Sequence, residues 1–167
     1  MFSKIRIVSL SLMLTIASVA VTRGAEKDDA AFAKAPAKVQ AAAKKALGDK
    51  KLAEFGKESI GEKIIYEVGF KVDGVDHAYV FSETGELIQE EADIEVAKLP
   101  TVVAKAIKRA QPEGKIAEAA TGTAGDKHFY VIEVKVAKDT HAIQVSEEGK
   151  VLADEIVKVL SMDEKAK

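Results

Sequence analysis

The sequence predicts an α+β protein of two tandem repeats, each one helix packed on a four-stranded antiparallel sheet. Three observations carry that prediction. From Pro36 onward the chain matches itself 64 positions later without a gap: Pro36 with Pro100, Val39 with Val103, Tyr66 with Tyr130, Lys71-Val72 with Lys135-Val136, His77-Ala78 with His141-Ala142, Gly85 with Gly149. About 19 of roughly 60 such pairs are identical, and self-similarity at a fixed period means that each copy is one structural unit. Each copy also opens on a proline-led, alanine-rich stretch at helical spacing, and continues into a run of period two folded about a tight turn.

Pro36 suits the first turn of a helix, where its missing N–H costs nothing. Val39, Ala42, Ala43, Ala46 and Leu47 then make one apolar stripe, and Gly48 provides a left-handed cap. In the second copy Pro100 opens, Val103, Ala106, Ile107 and Ala110 form the stripe, and Pro112 closes. Lys51 to Glu58 reads as a first strand. Tyr66, Val68, Phe70 and Val72 alternate with Glu67, Gly69 and Lys71, as in a strand with one buried side. Asp73-Gly74 is a strong two-residue hairpin signal. It sets Val72 against Val75, Phe70 against His77, Val68 against Tyr79 and Tyr66 against Phe81, all on the side the helix covers. Lys71 then faces Asp76 on the uncovered side. Glu83-Thr84-Gly85 turns into a fourth strand near Leu87 to Glu91, as Glu147-Glu148-Gly149 does before Val151. The resulting organisation is a mobile leader over 25–33, a first repeat over 34–98 with its linker at 92–99, a second repeat over 99–162, and a tail over 163–167.

Ahead of this lies a targeting pattern. Lys4 and Arg6 precede an apolar run from Ile7 to Val21, and small residues at Ser18 and Ala20, or at Thr22 and Gly24, offer two cleavage frames. Residues 1–24 therefore read as a signal peptide. An uncleaved anchor is the rival reading, although the run is shorter than the ~20 residues of a spanning helix. Loss of Lys4, Arg6 and Arg23 leaves 22 basic against 27 acidic residues, a net charge of −5. That balance argues against nucleic acid and anionic membrane surfaces as partners. The chain has no cysteine, so its core alone must hold it together in a periplasmic or secreted setting.

Leu99-Pro100-Thr101-Val102-Val103, Tyr130-Val131-Ile132-Glu133-Val134 and Glu148-Gly149-Lys150-Val151-Leu152 resemble the landmarks of PepSY-like domains. More narrowly, they resemble the exported tandem set described as similar to β-lactamase inhibitory protein. The resemblance covers nearly the whole mature chain and implies a protein that binds or restrains another exported polypeptide, such as a protease. It departs from the inhibitor pattern in lacking cysteines and tryptophan, with only six Phe and three Tyr. Tight interfaces usually centre on exposed aromatic or Arg anchors, so β-lactamase inhibition itself is not expected.

No motif names a reaction. His77 and His141 occupy equivalent positions, and the predicted register brings His77 opposite Glu91 and His141 opposite Glu155. Such pairs are half of a metal site or a pH-sensitive clasp, or simply histidines satisfied by a neighbour near a sheet edge. Metal binding needs three or four converging ligands. The acidic pairs Glu90-Glu91, Glu147-Glu148 and Asp154-Glu155 read as solvated surface, as does His128. Gly122-Thr123-Ala124-Gly125 lacks the helix that follows a phosphate loop, and Ser59, Ser82 and Ser146 lack a base to activate them. The expectation is a non-enzymatic interaction module without a cofactor. It would meet its partner through the uncovered sheet face, at Lys71, Asp76, Phe129, Glu133, Lys135 and Thr140, or through a free strand edge. The alternatives are a small-ligand or metal-ion binder using the His/Glu pairs, and a passive structural protein of the envelope.

Overall fold

The computed structural model describes residues 28–163; the expected signal peptide lies outside them. Along the chain come helix α1 (Ala37–Leu47) and strands β1 (Glu54–Ile60), β2 (Lys63–Val72), β3 (Val75–Ser82) and β4 (Leu87–Asp93). A 3-10 turn (Val96–Lys98) follows, then helix α2 (Thr101–Ala110) and strands β5 (Lys115–Ala124), β6 (Lys127–Val136), β7 (Asp139–Ser146) and β8 (Val151–Val159). Both helices start directly after a proline, and Gly48 ends α1 with φ 56°.

The eight strands are one sheet. Each pairs antiparallel with the next, β4 pairs with β5, and β8 returns to β1, so the sheet closes into a barrel. The expected fold of two helix-on-sheet repeats is thereby corrected. Each half would have ended on strands with unpaired N–H and C=O groups, and closure removes those edges. It also turns the side of the sheet opposite the helices into a barrel interior, which eight strands make just wide enough to fill with side chains.

The tight turn does set the first hairpin as its sequence implies: Tyr66 faces Phe81, Val68 faces Tyr79, Phe70 faces His77 and Lys71 faces Asp76. Asp73 and Gly74 both have positive φ, at 50° and 82°. Helix α1 lies outside the barrel on β2 and β3, packing Val39, Ala43 and Leu47 onto Tyr66, Val68, Phe70 and Phe81. Helix α2 does the same in the second half, with Val103, Ala106 and Ile107 over Ile132, Val134, Ile143 and Val145. Removing this apolar surface from water, at about 25 cal/mol per Å², is what holds each helix to the wall. Part of the expected mobile leader is docked: residues 28–33 are helical, and Phe32 meets Phe55 edge-on with ring centroids 5.2 Å apart.

Three β-bulges interrupt the ladders; one in β5 leaves Ala117 as the extra residue against β6, and the other two decide what the histidines face. Phe81 pairs with Leu87 but Val80 pairs with Gln89, leaving Ile88 as the extra residue. In the second half Val145 pairs with Val151 and Gln144 with Ala153, leaving Leu152. One inserted residue moves every later side chain of that strand to the other face. His77 accordingly faces Ala92, and Glu91 faces Ala78. His141 faces Ile156, and Glu155 faces Ala142. The expected His77/Glu91 and His141/Glu155 pairs are both corrected, because the bulges send the glutamates to the interior and leave the histidines outside.

Candidate functional site

The interior is the chemically unusual part of this molecule. Its lining follows from the register. Glu58 on β1 faces Ile65 and Val159, Glu67 on β2 faces Gly56 and Val80, Glu91 on β4 faces Ala78 and Gly122, and Glu133 on β6 faces Glu118 and Ala142. All four glutamates are buried, with 2%, 6%, 4% and 6% of their surface exposed. Fully buried glutamates are rare unless paired, since an ionised carboxylate in a dry interior costs several kcal/mol.

Apolar neighbours complete the filling. Val80, Phe129, Val131, Ala142 and Val157 are all buried there. Phe129 lies so close over Gly122 that a Cβ built on the glycine would stand 2.4 Å from the ring. One polar chain crosses the space: Gln144 Nε2 donates to Gln89 Oε1 at 3.0 Å, and Gln89 Nε2 donates to Glu91 Oε1. Between β4, β5 and β6 a cleft lined by Glu91, Asp93, Glu118 and Glu133 has room for little more than one water molecule. Glu58 Oε2 is buried and has no hydrogen-bond partner among the described residues.

The electrostatics follow from the geometry. Burial pushes the Glu58 carboxyl well above the usual carboxylate range, and the charges of Glu133, Glu91 and Glu54 push it further. Burial does the same to Glu67, reinforced by Glu58, Glu91, Glu54 and Glu133. Glu91 is raised by burial to about 7, against the opposing hydrogen bond from Gln89. Loss of water and like-charge repulsion act in the same direction, so these groups keep their protons at a pH where exposed glutamates have lost them.

The residues expected to meet a partner fall mostly in this interior. Phe129, Glu133 and Thr140 are buried, which corrects their assignment to an open sheet face: that face is the inside of the barrel. Lys71 and Asp76 form an ion pair of 2.6 Å, with side chains 35% and 16% exposed, beside the β2–β3 turn. Lys135 is exposed opposite Thr140 beside the β6–β7 turn. Among the described strands each has a neighbour on both sides, although β1 and β8 are matched over three residues only. Glu91, expected on the solvated surface, is buried as well.

The histidines are placed apart from the glutamates. His77 stacks on Phe70 with centroids 5.5 Å apart. His141 finds a carboxylate, though not the expected one: its Nδ1 is 2.7 Å from Asp154 Oδ1, while Gln111 Nε2 donates to Asp154 Oδ2 at 2.7 Å. Among the described residues no group of three or more His, Asp or Glu is arranged to hold a metal ion. None of the described helices is long and apolar enough to cross a membrane.

The interior glutamates escaped sequence reasoning because they alternate with apolar residues as outward-facing polar residues do. One sign was available. Ile64-Ile65-Tyr66 and Val131-Ile132 are apolar at consecutive positions, and such runs belong to strands buried on both faces. In β2, seven consecutive residues are buried.

No known protein family matches the chain, and no curated protein does. Among solved structures it is similar to a proposed periplasmic protein from Bacteroides eggerthii, at 20% identity over 73% of this chain and 88% of that chain, with a TM-score of 0.47. It is also similar to a DUF2874 family protein from Bacteroides uniformis, at 20% identity over 75% and 89%, with a TM-score of 0.46. A BLIP-like protein from Bacteroides fragilis matches at 17% identity over 74% and 85%, with a TM-score of 0.43. Likeness at this depth transfers neither function nor partner from one chain to another.

Proposed function

We propose that this is an exported, non-enzymatic binding protein that meets another exported polypeptide on the outer wall of its barrel. The observation that carries this reading is a repeated one. Leu87-Ile88 and Val151-Leu152 lie 64 residues apart, at the β4 and β8 bulges, with exposures of 42%, 40%, 37% and 50%. A bulge re-aims side chains, and here it leaves an apolar pair in water at the same place in each half. Val102, 41% exposed, stands beside the second pair, its side chain against Gly149.

Exposed apolar side chains that cluster beside polar surroundings suit protein contacts, whereas the cleft among Glu91, Asp93, Glu118 and Glu133 has room for little more than a water molecule. Export, to the periplasm or beyond, is supported by the charged-then-apolar pattern of residues 1–24. Restraint of a partner such as a protease is the form of binding that the PepSY-like resemblance implies. The test is capture from an envelope extract by the immobilised mature protein and by an Ile88→Glu/Leu152→Glu variant whose circular dichroism is unchanged. Saturable capture of a defined protein by the first and not by the second supports the reading. Capture of the same proteins by both, or of none by either, overturns it.

A further inference from the structure

We infer that the β1–β8 seam is a proton-operated latch: Glu58, buried within the short ladder, carries a proton while the barrel is shut, and loss of that proton parts the two strands. This does not depend on the proposed outer-wall contact.

The joint has the shortest ladder in the barrel. β1 and β8 are matched over three residues, Glu58 to Ile60 against Val157 to Val159, β4–β5 over four, and β2–β3 and β6–β7 over eight each. Two further backbone bonds flank it, Leu160 N–H to Lys57 O at 2.8 Å and Gly61 N–H to Ile156 O at 3.2 Å. Glu58 sits inside this short ladder, and its unpartnered Oε2 is buried. A protonated carboxyl can donate to a neighbouring carboxylate oxygen; an ionised one can only accept. Once Glu58 is ionised, the charge has to be hydrated, and the shortest route for water is to open the ladder that contains it.

The charges around Glu58 favour the proton. Glu54 shares its strand face, Glu67 comes from β2, Glu91 and Asp93 from β4, and Glu118 and Glu133 from β5 and β6. β8 adds Glu155, which lies against Gly61 at the end of the seam. β7 contributes the uncharged Thr140 and Gln144. Opposing charges on this side of the sheet are Lys63 on β2, opposite Ile60 at the end of β1, Lys71 on β2, bound to Asp76 of β3, Lys115 on β5 opposite Lys135 on β6, and Lys127 at the start of β6; they lie toward the strand ends, whereas the buried carboxylates lie between them. The buried Lys57 belongs to the other side of β1, opposite Tyr66.

Amide hydrogen exchange of the mature protein, corrected for the intrinsic pH dependence of exchange, tests the latch. Protection in β1 and β8 is measured relative to the β6–β7 ladder at pH 6, 7, 8 and 9. One proton lost on opening makes the seam open up to about tenfold more per pH unit. Wild type should show that relative loss, and Glu58→Gln should abolish it while keeping the seam closed at pH 9. Glu67→Gln, which leaves the seam residue intact and removes one repelling charge, lets Glu58 give up its proton more readily and should make the loss level off at lower pH. A relative protection in wild type that does not change with pH overturns the latch whether or not the variants fold. A Glu58→Gln protein with the wild-type pH dependence overturns it too.

Discussion

Raising the pH should weaken this protein across a range where most proteins are steady. Glu91 has a carboxyl raised from 4.5 to about 7 in the folded state, while in the unfolded chain it regains its ordinary value. Below pH 4.5 both states hold the proton, and the group makes no difference. Between 4.5 and 7 the folded state keeps the proton and the unfolded state has lost it, so folding takes up a proton and stability falls as pH rises. At 1.36 kcal/mol per unit, Glu91 alone removes about 3 kcal/mol by pH 7. Glu58 and Glu67 are shifted in the same direction, for the same causes, and extend the loss above neutrality. For a chain of this length about 3 kcal/mol corresponds to roughly 10 °C in Tm. Thermal unfolding followed by circular dichroism from pH 5 to pH 9 should show a steady decline, and Glu91→Gln should flatten its lower part. A Tm that is constant or rises from pH 5 to pH 8 would refute the reasoning, as would a Glu91→Gln protein with the wild-type slope.

Other outcomes follow from single contacts. Gly122→Ala forces the Phe129 ring out of its place against the β5 backbone and should cost about 1–3 kcal/mol in a urea titration. Ile143→Ala, at a position with no exposure under α2, should cost about 2–5 kcal/mol by the same assay. Asp76→Ala breaks a partly exposed ion pair and should change stability by no more than about 1 kcal/mol. Zinc or copper in excess should leave Tm unchanged, because the bulges set His77 and Glu91 on opposite sides of the sheet; a rise in Tm would show that ligands converge after all.

Local structure was largely legible in the residues. Pro36 and Pro100 mark where the helices begin, Asp73-Gly74 sets the register of the first hairpin, and the stripe of Val39, Ala43 and Leu47 is the buried face of α1. These features depend on neighbours a few positions apart, and their chemistry acts at that range. The candidate site was not legible. Glu91 could not be placed without knowing that Ile88 is an extra residue, and nothing about Ile88 itself marks a bulge. Phe129, Glu133 and Thr140 were correctly placed on the side away from α2, yet that side was expected to be open.

By itself, then, the sequence determined the order of helices and strands, the turns between them and the alternation of side chains along the first hairpin, β2 and β3. Only the tertiary structure decided that β4 meets β5 and β8 meets β1. Those contacts join residues far apart in the chain and depend on strand edges, which every sequence possesses alike in its backbone. Closure is also what makes the glutamates chemically distinctive: on an open sheet they would be solvated acids, whereas inside the barrel burial raises Glu91 to about 7, and burial together with like-charged neighbours pushes Glu58 and Glu67 well above the usual carboxylate range.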